Sequence, residues 1–380
     1  MKKSYGFLIL ILLGCLHQCL VNGATIQPVE RSIGKLKISI DPRMEILTTV
    51  QLLSNYPVIR KNLPYSKDIL NYFESFSSHD AVIMTDSLQQ KHGFGYDAPV
   101  SFMLHLSQLP ELKHQIAFPD LLKRRSGGDD NLDQYRKSIK QFAEISDFES
   151  FWNSKITFYN QILDLTIAEM GEMDLVKDLE DYFNETYGNY NIIIAPSFRG
   201  GYASKVPDAN GEDMIYACIQ TTNIQNGIPY INRDELIFYV WHEFGHSFIN
   251  PATDRFSDRV ESLDKLFEPI KEDMSKIAYT SWKTSVYEHV LRAVNIRLFE
   301  LHLESKYSDF YLRNELRQGF IYIEPLIEKL KDFEVQRDKN NVTFSEFYPE
   351  LLNELNKQIP KKPYFLPTLT LKRSPIFYQH

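Results

Sequence analysis

The chain has 380 residues, 43% hydrophobic and 24% charged, the balance of an ordinary globular protein. That composition excludes a disordered, collagen-like or multi-span membrane protein, and a formal net charge of −8 argues against a nucleic-acid partner. Three cysteines, two of them Cys15 and Cys19, cannot build a disulfide scaffold.

The amino terminus reads as an export signal. Lys2 and Lys3 precede the apolar run Phe7 to Leu13, far short of the roughly 20 residues that span a bilayer as a helix. Cleavage after Gly23 makes 1–23 a signal peptide. The alternative is a lipoprotein signal, with Leu12-Leu13-Gly14-Cys15 presenting Cys15 for a lipid anchor, the one membrane attachment expected. Both routes predict an exported protein, secreted, periplasmic or lipid-anchored at the cell surface.

Residues 36–40 (LKISI) alternate as a strand, and Asp41-Pro42 then opens a helical pattern through Ile46, Val50 and Leu53. Ser101 to Leu112 and the stretch from Asn131 to Met170 read as helices, with Lys123 to Asp130 (KRRSGGDD) an exposed loop between them. Asn191 to Ala195 and Met214 to Thr221 read as strands. From Asp234 onward the periodicity is helical over 234–249, 258–274, 277–304, 320–335 and 343–357. The expectation is a helix-dominated α+β fold, with a small sheet upstream of a mostly helical C-terminal half. One domain spans 24–360, and 361–380 is a tail. Cys218, in the strand-like run IYACIQT, reads as a buried apolar residue.

The chemistry concentrates in Trp241-His242-Glu243-Phe244-Gly245-His246-Ser247, an HExxH motif. On a helix His242 and His246 are i and i+4, so both imidazoles project from one face toward one point. Zinc takes neutral imidazoles and keeps an open position for water, whose pKa it lowers to about 7. Glu243 would accept that water's proton and pass it to a leaving amine. A chain of this composition holds roughly 0.02 such motifs by chance, which argues against accident. Asp234 and Glu235 suit a helix start, and Asn250-Pro251 a stop. The five apolar or aromatic residues Ile237 to Trp241 do not suit a solvated face.

A third ligand must come from farther along. Ile249 and Ala252 stand where the metzincin pattern needs Gly and His, and no histidine follows until His289. Glu261 and Glu268 fall on the polar stripe of an amphipathic pattern. Glu288 lies in the apolar run VYEHVLRA, where an isolated carboxylate is costly and a metal ion would be its partner. Arg292, one helical turn on, is the competing partner, or a group that orients Glu288 from behind. Glu288 is the leading candidate, with Glu261, Glu268 and His289 as alternatives.

These residues resemble the gluzincin-type zinc metallopeptidases, whose pattern is HExxH plus a glutamate on a later helix. The whole chain resembles an uncharacterised family of exported bacterial proteins (a domain of unknown function) of similar length. That likeness rests on ISIDPRMEIL (38–47), GFGYDAPVSFMLHLS (93–107), HEFGHSFINP (242–251) and EHVLRA (288–293). The gluzincin resemblance implies a zincin-like fold with its cleft at the 234–249 helix, His242, His246 and Glu288 as zinc ligands and Glu243 as general base. It also implies an edge strand over the metal, for which Asn191 to Ala195 followed by Arg199-Gly200-Gly201-Tyr202 is a candidate, and an oxyanion donor. Tyr279 and Tyr287, nearest to Glu288, are candidates for that donor, and Arg292 for a second-shell role. His79, His92 and His105 are weaker candidates for the cleft wall. The expected function is an exported zinc peptidase acting on a peptide or protein; the alternative is a surface-attached binding protein with a metal site and no turnover.

Overall fold

The computed structural model describes residues 25–208 and 210–359. The segment expected to be an export signal, Cys15 and the expected tail at 361–380 lie outside the described residues.

Five strands form one sheet in the order β1-β2-β3-β5-β4: β1 (Val29–Ile33), β2 (Leu36–Ile40), β3 (Asn189–Ile194), β4 (Gly201–Pro207) and β5 (Asp213–Ile219). The outer pairs β1·β2 and β4·β5 are antiparallel, while β2·β3 and β3·β5 are parallel. A small hairpin, Asn223–Gln225 with Ile228–Tyr230, turns on Asn226-Gly227 at φ 51° and 82°, the positive angles that favour Asn-Gly. From Arg233 onward the described regular structure is entirely helical. The fold is therefore α+β and helix-dominated, with a small mixed sheet upstream of the HExxH helix. One hydrophobic cluster runs from Ile26 to Leu355 and includes Cys218, which is fully buried in β5.

Several expected boundaries move, each for a local reason. The 101–112 helix is Asp97–Leu104 instead, since Pro110 lacks a donor and Leu112 sits at φ 42°. Residues 131–170 break into three helices at Ser146-Asp147 and at Lys155. KRRSGGDD is not a loop: one helix runs to Ser126, Gly127 ends it at φ 80°, and the next begins at Asp129. The 258–274 pattern is split around Pro269 into Ser257–Ser262, a 3-10 turn and Lys271–Lys276. The 277–304 helix starts later, at Trp282, where the Ser281 side chain accepts from the Thr284 N–H.

Asp41 caps the Pro42–Leu53 helix by accepting from the Arg43 N–H at 2.8 Å, with Pro42 in the first turn. That helix buries Glu45, whose carboxyl takes a hydrogen bond from the Tyr65 hydroxyl; Tyr65 in turn lies 2.7 Å from the Tyr159 hydroxyl. Burial pushes the Glu45 pKa from 4.5 up to about 8. Between those values the folded chain keeps a proton that the unfolded chain releases, so this stabilisation is lost as pH rises through 8. Thermal melts of Glu45→Gln should show a flatter decline from pH 5 to 9 than wild type; parallel curves would refute the assignment.

Candidate metal centre

The motif helix spans Arg233–Arg255, capped by Asn232, whose side chain accepts from the Glu235 N–H at 3.0 Å. It runs straight past the expected stop. Pro251 has no N–H for the Ser247 carbonyl, and the Tyr187 hydroxyl donates to that carbonyl instead, at 2.7 Å. Leu236, Val240, Phe244 and Ile249 are fully buried and seat the helix in the core.

A second helix, Trp282–His302, packs against it. A methyl at Gly245 would collide with Leu291 Cδ1, so the glycine inside the motif lets the two helices approach closely. Leu291 is three residues after Glu288, and this crossing brings Glu288 opposite the two histidines. Glu288 Oε2 lies 3.7 Å from His242 Nε2, and Oε1 lies 3.5 Å from His246 Nε2. His242, Glu243 and Glu288 are each at most 7% exposed, while His246 is partly buried, so the cluster meets water mainly on the His246 side.

The outer nitrogens face asparagines. His246 Nδ1 lies 3.2 Å from Asn250 Oδ1, an acceptor that fixes the proton on Nδ1 and leaves the Nε2 lone pair for a cation. Asn295 Nδ2 lies 3.3 Å from His242 Nδ1, while its Oδ1 is buried without a hydrogen bond. Turning that amide over satisfies Oδ1 and gives His242 the same tautomer. Glu288 Oε2 is also buried with no hydrogen bond. Two imidazole nitrogens and a carboxylate oxygen within 4.8 Å of one another, one oxygen lacking a donor, are a donor set that suits zinc.

Arg292 lies behind Glu288. Its Nη2 is 3.2 Å from Glu288 Oε2, and its Nη1 is 2.7 Å from both carboxylate oxygens of Glu315. The ion pair with Arg292 therefore forms, yet Glu288 still faces the histidines. Tyr279 stands alongside, its hydroxyl accepting from Arg292 Nη2 at 3.4 Å. It is delivered by the end of the Lys271–Lys276 helix, where Ala278 at φ 68° lets the Tyr279 N–H reach the Met274 carbonyl.

Glu243 packs against β4. A methyl at Gly201 would run into its carboxylate, and the Ala203 N–H donates to it. Burial first, then the negative charge of Glu288, push its pKa from 4.5 up to about 8, against the pull of Arg292 and the Ala203 N–H. A cation bound by the histidines and Glu288 would act in the opposite sense.

Two expectations, for Tyr287 and the edge strand, are corrected, and the alternatives to Glu288 as third ligand fall away. Tyr287 is not at the site: its hydroxyl donates to Asp254, about 100° around the helix from Glu288. His289 is fully buried against Phe320 and Tyr322 with Nδ1 on the Ser285 carbonyl, so packing accounts for it. Glu261 and Glu268 are exposed and belong to no metal-type cluster among the described residues. The edge strand beside Glu243 is β4; Asn191 to Ala195 belongs to β3, between β2 and β5.

The three histidines proposed for the cleft wall have local roles. His79 accepts from the Ala81 N–H at 3.1 Å, His92 packs on Gly127, and His105 holds the Ser101 carbonyl at 2.7 Å. The GFGYDAP stretch is a clamped turn: Arg125 binds the Gly95 carbonyl and both Asp97 oxygens, and the Tyr96 N–H donates to the Tyr56 hydroxyl. The helix that follows packs on β4, beside the site.

Sequence reasoning missed Glu315, Asn250 and Asn295. Asn250 was visible four residues after His246, and Asn295 two helical turns after Glu288 on an apolar helix. Glu315, within YLRNELRQ, carries no sign of its burial.

Residues 36–354 match the family model described as Domain of unknown function (DUF4932). The chain belongs to this family. The DUF4932 match takes in the whole sheet from β2 onward, the motif helix, Glu288 and Glu315. No curated protein and no solved structure matches the chain. Among the described residues no helix is long and apolar enough to cross a membrane.

Proposed function

We propose that the chain is an exported zinc-dependent hydrolase of the gluzincin type, with a zincin-like fold, that cleaves peptides or proteins. The observation that carries this reading is the convergence of His242, His246 and Glu288 beside the buried carboxyl of Glu243. Charge counting supports it. With Glu243 protonated at neutral pH, Glu288 and Glu315 bring two negative charges against one positive charge on Arg292, and the net negative charge left over is one that a cation would offset.

A zinc ion held by His242, His246 and Glu288 would supply Lewis-acid activation of water and of the scissile carbonyl. Glu243, oriented by the Ala203 N–H, takes the proton from the attacking water and returns it to the leaving amine. Arg292, with the Tyr279 hydroxyl against it, holds the Glu288 carboxylate from behind. The edge strand β4 offers backbone groups to which an extended peptide adds beside Glu243.

The test is stoichiometry. Elemental analysis of the purified protein should find about one zinc per chain, and none in His242→Ala or His246→Ala. Full zinc retention by both variants would sink the reading.

A further inference from the structure

We propose that Glu315 is a positioning residue that keeps Glu288 available to a metal ion by drawing the charge of Arg292 away from it. This inference rests on the zinc reading above.

Arg292 is 2% exposed and Glu315 4%, so neither has water to dilute its charge. The guanidinium is shared unequally. Nη1 meets both Glu315 oxygens at 2.7 Å, whereas Nη2 approaches Glu288 Oε2 at 3.2 Å without a hydrogen bond. Phe320 fixes the guanidinium plane, 4.3 Å from its ring centroid, and the Tyr279 hydroxyl lies 3.4 Å from Nη2.

Remove the Glu315 charge, and the one anion left in contact with Arg292 is Glu288. A buried guanidinium closes onto such a carboxylate, because a forked pair is the best compensation open to either group. Glu288 would then be held as an ion pair. Two neutral imidazoles would face a dication with no net negative charge behind them. With Glu315 present, Arg292 and Glu315 cancel, and the negative charge of Glu288 remains for the metal. The hydrogen bonds of the Glu315 carboxylate go to Arg292, and its helix, Ser305–Gln318, contributes no ligand to the cluster.

The rival explanation is a helix-to-helix brace with no bearing on metal. The two separate in zinc affinity, measured by chelator competition on the full protein at pH 7. Glu315→Gln should weaken zinc binding by about 10–100-fold, the usual effect of losing an outer-shell group. The double variant Glu315→Gln/Arg292→Met, which removes both charges, should recover to within a few-fold of wild type despite having lost more contacts. A brace predicts otherwise: Glu315→Gln melts earlier with zinc affinity unchanged, or the double variant binds no better than the single. Either result overturns the proposal. If Glu315→Gln does not fold, the double variant, which removes one positive and one negative charge and so keeps the net charge of the cluster, carries the test alone. Zinc loss there as severe as in Glu288→Ala overturns it too. Absence of zinc binding in wild type overturns the metal centre itself, whereas wild-type binding without a Glu315 effect overturns this inference alone.

Discussion

Glu243→Gln keeps zinc and the fold while lowering peptide hydrolysis by on the order of 10²–10⁴-fold, the contribution of a positioned general base. The substitution is nearly isosteric, and the amide oxygen still accepts from the Ala203 N–H that now meets the carboxylate. It removes the capacity to take a proton and leaves His242, His246 and Glu288 in place. The fold should not suffer, because a buried glutamate with a pKa pushed up to about 8 already exists at neutral pH largely in its uncharged form while no cation is bound. The measurement is a digest of a broad peptide library by zinc-loaded wild type and variant, with zinc content determined in parallel. Equal inertness of the two proteins, both holding zinc, would favour the alternative of a metal-containing binding protein. Loss of zinc in Glu243→Gln would instead make Glu243 a ligand and remove it from the role of base.

The parts of this site that were legible in the sequence are those set by local periodicity. His242 and His246 meet because 3.6 residues make a turn, and Glu288 stood out as a carboxylate in an apolar run. Tyr287 shows the limit of adjacency. It neighbours Glu288 in the chain but leaves the helix in another direction, toward Asp254. Tyr279 reaches Arg292 because Ala278 adopts a left-handed turn, a conformation its side chain does not advertise.

The edge strand differs from the one expected, although the sequence carries its signals. NIII is the continuous apolar run of a strand covered on both faces, as β3 is, whereas GYASKVP carries the lysine and terminal proline typical of an edge. Glu315 was beyond reach for a different reason. Its partner is 23 residues away on another helix, and only packing makes its burial affordable.

The identity of the third ligand has the next largest consequence. Glu288→Ala should weaken zinc binding by more than the roughly 100-fold upper range of an outer-shell loss, and hydrolysis should fall with it. Glu261→Ala and Glu268→Ala should match wild type in both respects. The contrast follows from environment. Glu261 and Glu268 are solvated, so their removal changes neither a buried charge nor a metal contact. Glu288 is 5% exposed, and its two oxygens are divided between the two histidines. Its loss takes the one carboxylate from the donor set and leaves two imidazoles with only neutral neighbours or water to complete it. The fold should survive the change, because Arg292 keeps both contacts to Glu315 and no buried cation is left unpaired. Zinc affinity by chelator competition, read against the melting temperature of the metal-free protein, separates ligand loss from unfolding. Wild-type zinc affinity in Glu288→Ala, or a comparable loss in Glu261→Ala or Glu268→Ala, would remove Glu288 from the centre.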